Sequence, residues 1–397
     1  MEQDVRDLVA ADAGTLMRRR LDRRKLLRGT VAGALSMGLL APAGAVLAAN
    51  RAGGGEGGDP TLAGGHHALP NPGPGAGERS RQADQHDHGG MMAVGEVDTA
   101  AMGYDPSVFV SSFNYGTVSK LPNGQTLREY QIVAVDKEIE IAPGVFFPAW
   151  TYQGQVPGPT IRCNEGDRIR IQFVNSSSHP HTMHFHGIHS AYMDGVDGYG
   201  RGNIQTGEIF TYEFDAYPFG CHLYHCHTNP LKRHIHKGLY GAFIINPDPA
   251  KHGDRAKVRH PDFAESREWQ ELVMVMNAFD TTFDGENEVY AVNSVAFHYM
   301  KHPIRIERSR PVRVYLINIT EFDPINSFHL HANFYDYYDH GTTLEPTLRT
   351  VDTIMQCQAQ RGILEFSFKD HEPGQYMFHA HQSEFAELGW MSAFEVV

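Results

Sequence analysis

The chain has 397 residues, 41% of them hydrophobic, which is enough for two domains with a sizeable core. Its formal charge is -13, and residues 1–48 carry eight basic against five acidic side chains, leaving the remainder near -16. That acidity argues against nucleic acid as a partner, and four cysteines are too few to staple a fold in place of a core.

Residues 18–28 are dense in arginine, an apolar run follows from Thr30 to Leu47, and small residues Ala48 and Ala49 close it. This order predicts a signal peptide over residues 1–49. The pair Arg23-Arg24 followed by Leu26-Leu27 resembles a twin-arginine export signal, so the expected location is periplasmic, cell-surface or extracellular. The apolar run is short and rich in Gly and Ala, so no stable membrane span is expected after cleavage. Residues 50–104 hold much Gly and Pro and few large apolar groups, which predicts a disordered linker. Its His66, His67, His86, His88, Met91 and Met92 read as incidental side chains of a solvated segment, or as a loose metal-capturing tail.

From about Gln131 onward, short β-branched and aromatic runs alternate with Gly, Pro and Asn, as in Ile169–Val174, Phe210–Phe214, Val312–Ile317 and Ile363–Phe368. Several have the period of two expected of a strand buried on one face, which predicts an all-β sandwich architecture. The pattern occurs twice. Ile161–Asn175 matches Ile304–Asn318, and Gly238–Ile245 matches Gly389–Val396. Two homologous domains are expected, at 105–248 and 268–397, with a charged linker at 249–267.

Each copy carries two His-x-His pairs: His184/His186 and His225/His227 in the first, His329/His331 and His379/His381 in the second. Residues i and i+2 of a strand point to one face, so each pair aims two imidazoles at one spot. Four pairs in register predict a shared cluster site with eight histidine ligands, enough for three metal ions. His179, His189, His222, His298 and His340 lack that register and read as non-ligands.

Cys226 lies inside one pair. A thiolate is soft and suits copper, and two imidazoles complete a trigonal set. His181, three residues before the first pair, and His234, four residues before Gly238-Leu239, are the candidates; His236 is the nearest competitor to His234. Leu239 then occupies an axial position in which no donor exists, favouring Cu(I) and a raised potential. In the second copy Asn326, Ala380, Phe385 and Trp390 fill the equivalent places, so this site is expected once per chain. A disulfide among Cys163, Cys221 and Cys357 is left open.

These motifs, over about residues 100–397, resemble the multicopper oxidases, in particular the two-domain laccase-like group. The resemblance implies cupredoxin-like Greek-key β-sandwich domains and four copper ions per active unit. It implies type 1 copper at His181, Cys226 and His234, and type 2 copper at His184 and His329. It implies a type 3 pair at His186, His225, His227, His331, His379 and His381. It also implies one-electron oxidation of a phenol, an aromatic amine or a metal ion coupled to reduction of O2 to water, and a homotrimer with the cluster between subunits. Asp194 resembles the family's acidic residue beside the cluster and is expected to relay protons. The span from Cys226 to His234 is longer than usual in laccases and resembles the loop of copper nitrite reductases. Two rival readings follow: a nitrite reductase, disfavoured by His184 where that family needs aspartate and by His227 after the cysteine, and a non-enzymatic copper-storage or electron-transfer protein.

Overall fold

The computed structural model describes residues 95–256, 263 and 268–397. The expected signal segment and the histidine-containing stretch up to residue 94 lie outside the described residues.

The first sandwich contains β1 (Thr117–Lys120), β2 (Thr126–Ala142), β3 (Val145–Tyr152), β4 (Gly158–Asn164), β5 (Arg168–Asn175), β6 (His184–Phe185), β7 (Ile209–Asp215), β8 (Gly220–His225) and β9 (Tyr240–Asn246). One sheet runs β1-β2-β5-β7 with β3 added along β2; the other runs β4-β9-β8-β6. The second sandwich contains β10 (Gln270–Phe279), β11 (Val289–Val292), β12 (Ile304–Ile306), β13 (Val312–Asn318), β14 (Ile325–Leu330), β15 (Tyr335–Asp339), β16 (Leu348–Val351), β17 (Thr353–Cys357), β18 (Arg361–Phe366), β19 (Gly374–His379) and β20 (Met391–Val396). Its sheets run β11-β10-β13-β18-β15-β16 and β12-β20-β19-β14-β17. The internal repeat of the sequence is a repeat of pairing. Parallel β2·β5 corresponds to parallel β10·β13, parallel β4·β9 to β12·β20, and antiparallel β8·β9 to β19·β20.

Each sandwich encloses its own core. Ile132, Phe173, Phe185, Tyr212 and Phe243 fill the first, and Met274, Leu316, Phe328, Phe378 and Trp390 the second. A third apolar cluster welds the two halves together, with Phe147, Leu223, Tyr240 and Ile244 from one side meeting Val273, Val275, Tyr315 and Ile363 from the other. Strand β10 therefore buries both faces: Leu272, Met274 and Met276 point into the second core while Val273 and Val275 point into the seam. Hence its near-continuous apolar run, where a half-exposed strand would alternate. The bidentate Arg162–Glu271 pair, with both N···O distances 2.8 Å, crosses the same seam.

Two short helices precede β1: α1 (Thr99–Met102), capped by the Asp98 side chain, and α2 (Pro106–Phe109), capped by Asp105 with Pro106 at its first position. Residues 97–104, expected to be part of a loose linker, are thus ordered. Met102, Tyr104 and Phe109 are buried in the seam with Val97 packed against it, and the Tyr104 hydroxyl donates to Asn293 O at 3.2 Å. A handful of apolar anchors suffices to dock the segment, which an average over a Gly-rich stretch conceals. Among the described residues no helix is long and apolar enough to cross a membrane.

Candidate metal centres

Strand β8 ends at His225, and the chain continues directly through Cys226. A short helix, α3 (Leu231–His236), then turns it back, and Cys226 N–H donates to Leu239 O at 3.0 Å. The return brings His234 to the sulfur, with Cys226 Sγ to His234 Nδ1 at 3.3 Å. His181 arrives from the segment before β6, with Nδ1 3.8 Å from the sulfur and 3.1 Å from His234 Nδ1. All three side chains are buried. Thr182 N–H donates to the sulfur at 3.3 Å. On the far side of the His181 ring, Nε2 bonds Ser177 Oγ at 2.8 Å, and that hydroxyl donates to Asp136. The outer partners fix the ring so that Nδ1 faces the thiol.

Burial, then the nearness of His234, holds His181 down to about 3. Burial, then His179 and Arg233, holds His234 down to about 4. Both rings are therefore neutral and ready to ligate. Burial also raises the Cys226 thiol, partly offset by hydrogen bonds from Thr228 and Thr182; a bound metal would displace that proton. His236, the competitor, faces elsewhere: its Nε2 accepts from Asp280 N–H at 3.0 Å and its ring lies against Phe147 and Phe322. In the second repeat, Asn326 donates to Thr320 Oγ1, Phe385 stacks on Tyr290 at 4.1 Å, and Ala380 and Trp390 are buried in apolar packing.

The paired histidines stand on adjacent ladders. His184 is the register partner of His225 across β6 and β8, and His329 that of His379 across β14 and β19. His186 Nε2 lies 2.9 Å from His225 Nε2, and His331 Nε2 lies 2.9 Å from His379 Nε2. The opposite nitrogens are tethered to the backbone in the same way: His225 Nδ1 to Cys226 O at 2.9 Å and His379 Nδ1 to Ala380 O at 2.6 Å. His227 and His381 contact His184 and His329 respectively, at ring distances of 5.2 and 5.3 Å. Burial holds His225 down to about 3, and burial with the neighbouring His225 holds His186 down to about 2. Among the described residues the imidazole contacts of each ladder stay within that ladder, and His184, His186, His329, His331 and His379 are only partly buried.

Asp194 follows a 3-10 turn over Ala191–Met193. Its Oδ1 lies 3.0 Å from His184 Nδ1 and its backbone carbonyl 2.8 Å from the same nitrogen. His189, read from sequence as a non-ligand, also reaches Asp194 Oδ1, at 3.3 Å, and its ring sits 5.0 Å from that of His184. A lone histidine on a loop carries no periodic signal, so only its closeness to the Asp194 turn could have marked it. The four cysteines are all free: Cys163, Cys221 and Cys226 are buried and Cys357 is exposed.

The donor sets suit a thiophilic transition metal. Bonds of about 2.0 Å to nitrogen and about 2.3 Å to sulfur place trigonal ligands about 3.5–3.7 Å apart, and the Cys226 triangle has edges of 3.1, 3.3 and 3.8 Å. His227 Nδ1 is buried without a hydrogen-bond partner. An orphaned imidazole nitrogen of this kind is costly unless something binds it. Two β-sandwiches with one triangle of a cysteine and two histidines, and with two histidine ladders, define a cupredoxin-type metalloprotein.

Comparison with known proteins agrees. Two family models described as multicopper oxidase match residues 135–250 and 269–397. A crystal structure of a multicopper oxidase is 52% identical, with a TM-score of 0.70, covering 76% of this chain and 100% of that one. The copper-containing nitrite reductase of Neisseria meningitidis serogroup A is 35% identical over 119 residues, 28% of this chain and 29% of the relative. Laccase abr2 of Aspergillus fumigatus is 40% identical over 99 residues, 24% of this chain and 16% of the relative. The chain thus spans less than a third of the length of these curated relatives. It belongs to the multicopper oxidases, and is accordingly a copper-dependent oxidoreductase built of cupredoxin-like sandwiches.

Proposed function

We propose that the chain is a laccase-like oxidase that takes single electrons from a small reducing substrate and delivers four to O2, forming water. In this reading His181, Cys226 and His234 would hold type 1 copper, and the buried Leu239 beside them would offer it no further ligand. His184 and His329 hold type 2 copper, and His186, His225, His227, His331, His379 and His381 hold the type 3 pair. When bound, copper supplies one-electron acceptance at the sulfur site and four-electron storage for O2 at the histidine site.

The protein's part is to hold neutral imidazoles in place and to connect the two centres. Cys226 is flanked in the chain by His225 and His227, so one short backbone segment presents ligands to both. Asp194 orients His184 through Nδ1 and stands between it and His189, a position from which a carboxylate holds and passes a proton. Each histidine ladder has an open side, and one ladder offers half the ligands. In the proposed assembly, a homotrimer closed by head-to-tail contacts, the first ladder of one copy meets the second ladder of the next. Export by the twin-arginine-like signal, after folding, belongs to the same reading.

The observation that carries the proposal is the matched pair of ladders, His184/His225 and His329/His379, with His227 added after the cysteine. A nitrite reductase has aspartate where His184 stands and lacks the histidine after the cysteine. The test supplies the copper-loaded protein with a phenol and, separately, O2 or nitrite as acceptor. Consumption of O2 with no turnover of nitrite is expected; nitrite reduction without O2 uptake would overturn the reading.

A further inference from the structure

Around the buried His234 lies a collar whose charge is opposite to that of the protein as a whole. Helix α3 and the residue after it carry Lys232, Arg233 and Lys237, each set over an aromatic face. Lys232 Nζ is 4.8 Å from the Phe322 ring centre, Arg233 Cζ 5.2 Å from Trp150, and Lys237 Nζ 4.9 Å from Phe283. Trp150 in turn packs on both imidazoles of the sulfur site, at 5.2 Å from His181 and 4.7 Å from His234. Lys232 and Arg233 are exposed, and the carboxylate that Lys232 acts on electrostatically is Glu321. The nearby acids are engaged: Asp136 by Ser177 and Ser178, Asp280 by the Asp284 and Gly285 amides, and Glu321 by the Gln358 amide.

A second, independent observation concerns the backbone. Phe283 and Phe322 come from two different loops of the second sandwich, and both adopt left-handed conformations, with φ of 59° and 72°. Such conformations are costly for bulky residues and persist only where the surroundings hold them. Both rings converge on α3, at 5.8 and 5.0 Å from His236, and Phe283 remains 54% exposed. Aromatic rings beside exposed cations offer stacking and charge to one kind of ligand: a flat, anionic ring.

We propose that Lys232, Arg233, Phe283 and Phe322 form the donor-docking surface of the sulfur site and select anionic aromatic reductants, phenolates and carboxylated phenols, over cationic amines and metal ions. This rests on the oxidase reading above and narrows its substrate class. A phenolate gives up one electron and becomes a neutral phenoxyl radical with no proton to discard, whereas a carboxylated phenol keeps its carboxylate charge and releases its phenolic proton to water as it gives up the electron. Four phenolates, one O2 and four protons yield four phenoxyl radicals and two waters, so charge and atoms balance.

The test compares kcat/KM for three matched donors: a carboxylated phenol, its uncharged methyl ester and its aminomethyl counterpart. In the native protein the advantage of the anion over the cation should shrink as salt is raised. In K232E/R233E the ratio of anion to cation should fall by about tenfold or more. Binding of 4-methoxybenzoate, which gives no turnover, is followed calorimetrically on metal-free protein; it should weaken in K232E/R233E and, separately, in F283A. Should the double reversal fail to fold, K232Q serves in its place. An unchanged donor ratio and unchanged benzoate affinity would overturn the proposal. If native protein consumes O2 with the methyl ester while these results fail, the oxidase reading stands and only the docking surface falls.

Discussion

His329 and His379 face each other as ladder partners across β14 and β19, in the same relation that joins His184 and His225 across β6 and β8. The second repeat has lost every position of the sulfur site, yet it keeps this pairing and the carbonyl tether on the Nδ1 of His379. A relic domain has no reason to keep this ladder pair and, beside it, His331 Nε2 at 2.9 Å from His379 Nε2. The first prediction is that His379→Ala abolishes O2 uptake, by more than about 100-fold, while the intense visible band of the thiolate–copper centre survives. Loss of both together would mean that the two centres are one.

Leu239 is fully buried, and its carbonyl accepts from the Cys226 amide. Leucine cannot ligate, whereas a methionine thioether can bind weakly and stabilise the oxidised ion. Leu239→Met should therefore lower the potential of the sulfur site, read by redox titration of its visible band. A potential that stays put or rises would show that residue 239 is not axial.

Protons compete with metal for the same nitrogens. His181, His186 and His225 are held near 3, 2 and 3 in the fold, whereas an unfolded imidazole titrates near about 6.5. The unfolded chain therefore binds more protons in acid. The stability of the copper-free protein is complete above about pH 6.5 and falls as pH drops toward the folded values, by about 1.4 kcal/mol per pH unit for each ring. Denaturant midpoints at about pH 7.5 and about pH 5.5 check this: a lower midpoint in acid is expected, and copper should not flatten the slope, because the folded rings are already deprotonated and the Cys226 thiol gives up a further proton on binding metal. An equal midpoint at both pH values would show that the rings are solvated.

The parts legible in the sequence are those with a period. His-x-His pairs are visible because a strand returns to one face every two residues, and their recurrence at matching places marks the repeat. Cys226 and His234 are legible because Cys226 lies inside a His-x-His pair and Gly238-Leu239 marks the return of the chain after His234. His189 was not, because a loop residue brought in by a 3-10 turn has no period. Nor was the docking of residues 97–109, whose few apolar side chains act through long-range contacts such as Tyr104 with Asn293. The seam between the sandwiches was hidden for a related reason: the unbroken apolar run of β10 looks the same whether its second face meets another domain or a helix.

The account depends on imidazoles from both sandwiches sharing one set of ions, supplied with electrons through a separate sulfur-bound ion. Copper counting on the purified, fully loaded protein, native and Cys226→Ala, tests this most directly. About four ions per chain are expected in the native protein and about three in the variant. A single ion per chain that disappears with Cys226 would contradict it.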